Sequence, residues 1–168
     1  MLVGGGDMSL DARYTARFLD TVRNHSPHPE SSQANRETLH LVYDAVIRGD
    51  FNAFGKSLAD DVELDIRGLA SMDGNWRGRE RVVEAARANF SQLADQKPEI
   101  ESMLSGNNSI AVLFRESGVF KLDGRNYRFR VVQWFTFAEG KVKRIDEIVA
   151  SSNQADRSPV ASPQSQPM

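Results

Sequence analysis

Three stretches of the sequence each place one polar side chain on an otherwise apolar strand face. In YRFRVVQWFTF, alternation puts Phe129, Val131, Gln133 and Phe135 on one side and Arg128, Arg130, Trp134 and Thr136 on the other. Gln133 interrupts the apolar side, where an amide without partners costs about 1–3 kcal/mol. In the preceding stretch Val112, Phe114, Glu116 and Phe120 share a face that Glu116 interrupts. In the last stretch Glu147 lies between Ile145 and Val149 on one face. If these strands are neighbours, Glu116, Gln133 and Glu147 enter one cavity walled by residues such as Phe120, Phe129, Val131 and Phe135. Burial raises a carboxylate's pKa, and a second carboxylate nearby raises one of the two further. Such groups suit removal of a proton beside a carbonyl and its redelivery. Three other arrangements fit the same residues. Gln133 can bond backbone within a core, Arg115, Arg128 or Arg144 can neutralise the glutamates, or a one-residue slip can turn both outward.

The elements that would hold these residues follow from periodicity. Strands are expected over residues 99–104, 110–122, 127–138 and 142–149, with hairpin turns at Asp123-Gly124 and Glu139-Gly140. Upstream, Asn35 is placed as the cap of a helix carrying Leu39, Val42, Tyr43, Val46 and Ile47 at helical spacing. A short helix is expected from Phe51 to Leu58. Asp60 and Asp61 then end that helix and begin a strand whose Val62, Leu64 and Ile66 alternate with Glu63, Asp65 and Arg67. Residues 71–80 read as loop. A helix introduced by Gly78 follows, with Val82, Val83, Ala86 and Phe90 inward. Helices followed by an antiparallel meander make an α+β domain over residues 35–150.

Residues 1–34 read as an extension, with a helix capped by Ser9 carrying Leu10, Tyr14, Phe18 and Val22, and a linker at 24–33. His25 and His28 fall beside prolines in that linker and are not expected to bind metal. GGGDM leaves open whether Met1 or Met8 is the true start. Residues 151–168, rich in Ser, Pro and Gln, are expected to be a disordered tail.

The 168 residues carry a net charge of −2, which gives no reason to expect nucleic acid or an anionic membrane as partner. No cysteine is present, which excludes disulfides and thiolate chemistry. No apolar window approaches a membrane span, and no basic region precedes an apolar one at the N-terminus. A cytoplasmic protein is expected. His40 has no visible ligand partner, and no phosphate-binding loop or dinucleotide fingerprint occurs, so no metal or cofactor is expected.

Through YDAVIRGDFNAFGKSLADDVELD, GNWRGRERV, KLDGRNYRF and WFTFAEGKVKRIDEIV, about residues 35–150 resemble the nuclear transport factor 2-like superfamily. That group includes ketosteroid isomerases, SnoaL-type polyketide cyclases and many SnoaL-like proteins. The resemblance implies a cone-shaped curved antiparallel sheet with helices packed on its concave face. The isomerase's base falls on Ile66, its oxyanion tyrosine on Val42 and its protonated acid on Gln133, so this is not a ketosteroid isomerase. Gln133 is thereby expected to point into a cavity. Glu116 falls where the isomerase has a pocket-lining phenylalanine, and Glu147 on an acidic position common in SnoaL-like proteins. Tyr43, on a helix over the cavity, can donate to a developing enolate, or be a core tyrosine. Trp76 can close the mouth, or simply pack. Asp65 is placed at the mouth, though its strand face reads as solvated.

The function so implied is binding of a small apolar carbonyl compound, with cofactor-free acid–base chemistry giving cyclisation, isomerisation or dehydration. Alternatives are a non-catalytic binder of hydrophobic ligands and a dimerising accessory protein. The resemblance also implies a homodimer, with the Arg128, Arg130, Trp134 and Thr136 face as interface.

Overall fold

The computed structural model describes residues 12–24 and 30–157. Ser9, Leu10, His25, His28 and both candidate start residues lie outside them. The elements are α1 (Ala12–Asn24), α2 (Glu30–Ile47), α3 (Phe51–Lys56), β1 (Leu58–Arg67), β2 (Gly74–Arg77), α4 (Arg79–Ser91), β3 (Leu93–Ser105), β4 (Ser109–Phe120), β5 (Asn126–Ala138) and β6 (Lys141–Ser151). They build an α+β fold around one curved sheet in the order β2-β1-β6-β5-β4-β3.

Every pairing is antiparallel except that of β1 with β6, which is parallel, so the sheet is mixed where the meander alone predicts an antiparallel one. Two strands can run parallel only across a long connection, and the chain from β2 through β5 supplies it. Curvature has a local source. Register shifts fall between Ala94 and Lys97, between Ile100 and Ser102, and between Thr136 and Phe137, and each extra residue bends its strand. Against the concave side pack Phe18 and Val22 of α1, Leu39, Val42 and Ala45 of α2, and Val82 and Ala85 of α4, all buried.

Several boundaries differ from the sequence expectation. Helix α2 begins at Glu30, inside the expected linker, and Asn35 is buried within it instead of capping it. The first turn of a solvent-facing helix needs no apolar residue, so apolar periodicity could not mark its start. Helix α3 stops at Lys56, and β1 begins at Leu58, which puts Asp60 and Asp61 in the strand. Both are exposed and form surface ion pairs, Asp60 with Arg79 and Asp61 with Lys143. The expected loop at 71–80 contains β2, whose Trp76 pairs in register with Leu64.

The tail expectation fails at its start. Ser151 closes β6, and Asp156 is buried, with Arg125 Nη1 at 2.6 Å and Ser151 Oγ donating at 3.0 Å. Helix α1 is amphipathic as expected through Phe18 and Val22, but Tyr14 is exposed and Thr15 takes the buried position. No helix among the described residues is long and apolar enough to cross a membrane.

Candidate active site in the concave face

The sheet and the helices over it form a partly open cavity of about 190 Å³. Helices α1, α2 and α4 contribute Phe18, Tyr43 and Phe90, and the strands contribute Phe114, Phe129 and Phe135. Phe18 meets Tyr43 edge-on at 4.8 Å and Phe114 at 5.7 Å, so α1 roofs the cavity. The polar lining is Tyr43, Asn89, Gln96, Glu116, Gln133 and Glu147. No lysine, arginine or histidine is among the described lining residues.

The three interrupting residues all face this cavity, as their strand alternation requires. Gln133 lies directly opposite Glu147 in the β5–β6 register and donates from Nε2 to Glu147 Oε2 at 2.6 Å. Tyr43 Oη donates to Gln133 Oε1 at 2.7 Å. Tyrosine, amide and carboxylate therefore form one chain from α2 to β6. The single hydroxyl proton of Tyr43 is directed at Gln133, so Tyr43 positions that amide where a direct contact with a ligand oxygen was expected. Gln133 is accordingly not a backbone-bonded core glutamine.

Glu116 belongs to a second pole. It lies opposite Phe129, four residues along β5 from Gln133, or ~13 Å at the usual strand rise. Its Oε1 accepts from Tyr127 Oη at 2.7 Å and Gln96 Nε2 at 3.3 Å. Neither Gln96 nor Tyr127 was singled out from sequence. Gly118 makes the tyrosine contact feasible. It pairs with Tyr127, and a methyl group added there would sit 2.6 Å from the hydroxyl oxygen.

Burial pushes the Glu147 carboxyl up to about 7. The hydrogen bond from Gln133 opposes that shift, and the charge of Glu116 adds to it. Burial likewise raises Glu116, against the bonds from Tyr127 and Gln96. Burial, and then the charge of Glu147, raises Tyr43 well above an ordinary phenol, so it stays protonated. None of the three candidate neutralising arginines lines the cavity. Arg115 meets Glu101 at 2.8 Å, and Arg144 meets Asp146 at 2.7 Å. Arg128 is exposed on the outer face of β5. Both half-buried carboxyls face the cavity and are hydrogen-bonded by neutral groups.

Phe129, Val131 and Phe135 line the cavity as expected. Three candidates do not. Phe120 is buried behind the wall, packed on Tyr127 at 5.2 Å and Phe129 at 6.0 Å. Trp76 packs against the core from β2 with its ring over Gly74, away from the cavity. Asp65 lies on the outer face of β1, where Arg67 at 2.7 Å and Asn75 at 3.0 Å hold its carboxyl below the usual range. Among the described residues no group of three His, Cys, Asp or Glu side chains could hold a metal ion.

The family model of the SnoaL-like domain matches residues 39–145. An NTF2-like protein from Burkholderia xenovorans LB400 is 21% identical at a TM-score of 0.62, over 70% of this chain and 90% of that one. A candidate SnoaL-like polyketide cyclase from Jannaschia sp. CCS1 is 15% identical at a TM-score of 0.64, over 74% and 90%. A candidate polyketide cyclase from Xanthomonas campestris pv. campestris is 16% identical at 0.58, over 71% and 92%. At these identities the likeness concerns the fold. A comparison with curated proteins gives no match.

Proposed function

We propose that this chain, which belongs to the SnoaL-like domain family, binds a small neutral carbonyl compound and moves a proton at the carbon beside the carbonyl, without a cofactor. The observation that carries the reading is Glu147. It is a cavity-facing carboxyl whose pKa is about 7, bonded by an amide and by no cation. A base with a pKa near the working pH balances ionised fraction against proton affinity.

Ionised Glu147 takes a proton from the α-carbon, the C–H electron pair becomes a C=C bond, and the carbonyl π pair moves onto the oxygen as an enolate. Gln133 has two N–H groups and directs one at Glu147, leaving the other for that oxygen. The bond from Tyr43 to the amide oxygen polarises Gln133 and strengthens its remaining donor. Where a C=C bond is conjugated with the enolate, protonated Glu147 returns its proton to the far carbon, which shifts the double bond and is isomerisation. Alternatively the enolate carbon attacks a second carbonyl in the same molecule, which is cyclisation, and Glu147 protonates the new alkoxide.

The test uses 4-isopropylcyclohexanone in D2O, with NMR detection of deuterium at the two α-carbons. Protein-dependent exchange is expected, rising with pH and levelling off above about 7, as the Glu147 carboxyl ionises. Binding without exchange would make the protein a carrier of hydrophobic ligands. Absence of binding would sink the carbonyl reading.

A homodimer is part of the same proposal. Val132, Trp134 and Ile148 leave an apolar patch on the outer sheet face, with Trp134 50% exposed. Trp134→Arg should convert a dimer to a monomer in light scattering after gel filtration. A wild type that is already monomeric at micromolar concentration would overturn this part.

A further inference from the structure

The Tyr43–Gln133–Glu147 chain occupies one pole of the cavity, and the proton transfer described above leaves the other pole, at Glu116, idle. The two oxygens of Glu116 are not equivalent. Its Oε1 accepts from Tyr127 Oη at 2.7 Å and from Gln96 Nε2 at 3.3 Å, which fixes the carboxyl in place. Its Oε2 has no hydrogen-bond partner among the described residues. Nor is it one of the sealed, partnerless side-chain atoms, which are Asn89 Nδ2 and Ser105 Oγ. On a half-buried residue that lines the cavity, an oxygen neither bonded nor sealed is one that a ligand can reach. Its surroundings are apolar, with Phe129 directly opposite and Phe114 two residues earlier on the same strand face. A carboxyl in such a wall costs stability, and an apolar side chain would pack there without needing Tyr127 and Gln96. Packing gives no account of Oε2.

We propose that Glu116 Oε2 hydrogen-bonds a hydroxyl group of the ligand, which makes the substrate a neutral hydroxy ketone held at both ends. The enolisable carbonyl sits at Gln133 and Glu147, and the hydroxyl sits at Glu116. The inference rests on the carbonyl reading above and narrows it. The chemistry of Oε2 selects the group. A carbonyl oxygen pairs only with protonated Glu116 and an ammonium only with ionised Glu116, whereas a hydroxyl accepts from the one and donates to the other. An anionic group is disfavoured, because the described lining offers it two carboxyls and no cation. Geometry requires two separate functions. Four residues of β5, ~13 Å at the usual rise, lie between the two poles, too far for one oxygen to serve both. The hydroxyl is therefore a handle for recognition, remote from the carbon that loses its proton, and a ketone without it makes no use of Glu116. An apolar cavity of ~150 Å³ takes up benzene, so about 190 Å³ has room for one substituted ring between the two groups.

The test compares two ketones of nearly the same shape, 4-(hydroxymethyl)cyclohexanone and 4-ethylcyclohexanone, which differ by a hydroxyl in place of a methyl group. Calorimetry on the full chain should give the hydroxymethyl compound a Kd lower by roughly five- to tenfold, the worth of one buried hydrogen bond. Glu116→Leu should reverse the order, since the hydroxyl then enters an apolar wall without a partner. Glu116→Gln, whose amide also pairs with a hydroxyl, should keep the preference of wild type. If Glu116→Leu does not fold, Glu116→Met carries the same comparison. A preference that survives in Glu116→Leu, one lost equally in Glu116→Gln, or none in wild type overturns the role of Glu116 and leaves the carbonyl reading standing. Binding of neither ketone to wild type overturns both.

Discussion

Glu147→Gln is expected to slow α-proton exchange by about 10²- to 10⁴-fold, the usual worth of a positioned general base, while ketone binding changes little. The substitution keeps the shape of the side chain. Its carbonyl oxygen can still accept from Gln133 Nε2, now 2.6 Å from the carboxylate, so the chain back to Tyr43 has no reason to break. What is lost is a basic oxygen facing the cavity. Glu116→Gln is the informative companion. Its carboxyl sits four residues along β5 from Gln133 and is tied to Tyr127 and Gln96, so exchange should stay within a few-fold of wild type. Rates from NMR for the two variants decide the assignment. If Glu116→Gln shows the large loss and Glu147→Gln the small one, the poles have been given the wrong roles. If neither changes the rate, exchange occurs outside this cavity.

The part of the site that was legible in the sequence lies on β4, β5 and β6. Their apolar faces alternate without interruption except at Glu116, Gln133 and Glu147, and the Asp123-Gly124 and Glu139-Gly140 turns fix which strands are neighbours. Alternation says which way a side chain points but not how far the cavity extends. Phe120 points inward as expected, yet the stack of Tyr127 on Phe129 at 4.3 Å walls it off. Gln96 was hidden for a backbone reason. Asp95 takes a φ of 52° at a register shift, so the alternation that would place Gln96 on the inner face is broken one residue before it. Asn89 gave no periodic signal either, because a polar residue on a helix is ordinarily taken as solvated. Only α4's placement over the sheet turns it inward.

The same carboxyl that is proposed to do the chemistry should also write its pKa into the stability of the fold. In the folded protein Glu147 holds its proton up to about pH 7, against an ordinary value of 4.5. Between those two values the folded state binds more proton than the unfolded chain, so stability falls as pH rises. The contribution is fully present below about 4.5 and lost by about pH 7. A carboxyl raised from 4.5 to about 7 corresponds to on the order of 3 kcal/mol, part of which is already lost at pH 5. For a chain of this size the drop in Tm between pH 5 and pH 8 is roughly 5–10 °C. Burial of Glu116 acts in the same direction. The surface carboxyls Asp61, Asp65 and Asp123 are shifted down by hydrogen bonds and ion pairs. Their contribution is lost only as pH falls below the ordinary Asp range, so the two windows do not overlap. Glu147→Gln should therefore come close to wild type near pH 4.5 and melt several degrees higher at pH 8, where wild type must hold a poorly solvated charge. Thermal unfolding of both proteins across pH 4.5 to 8.5 reads this directly. Parallel curves would mean that Glu147 is ionised in the folded protein throughout, and a carboxylate so stabilised would be a poor base for a carbon acid.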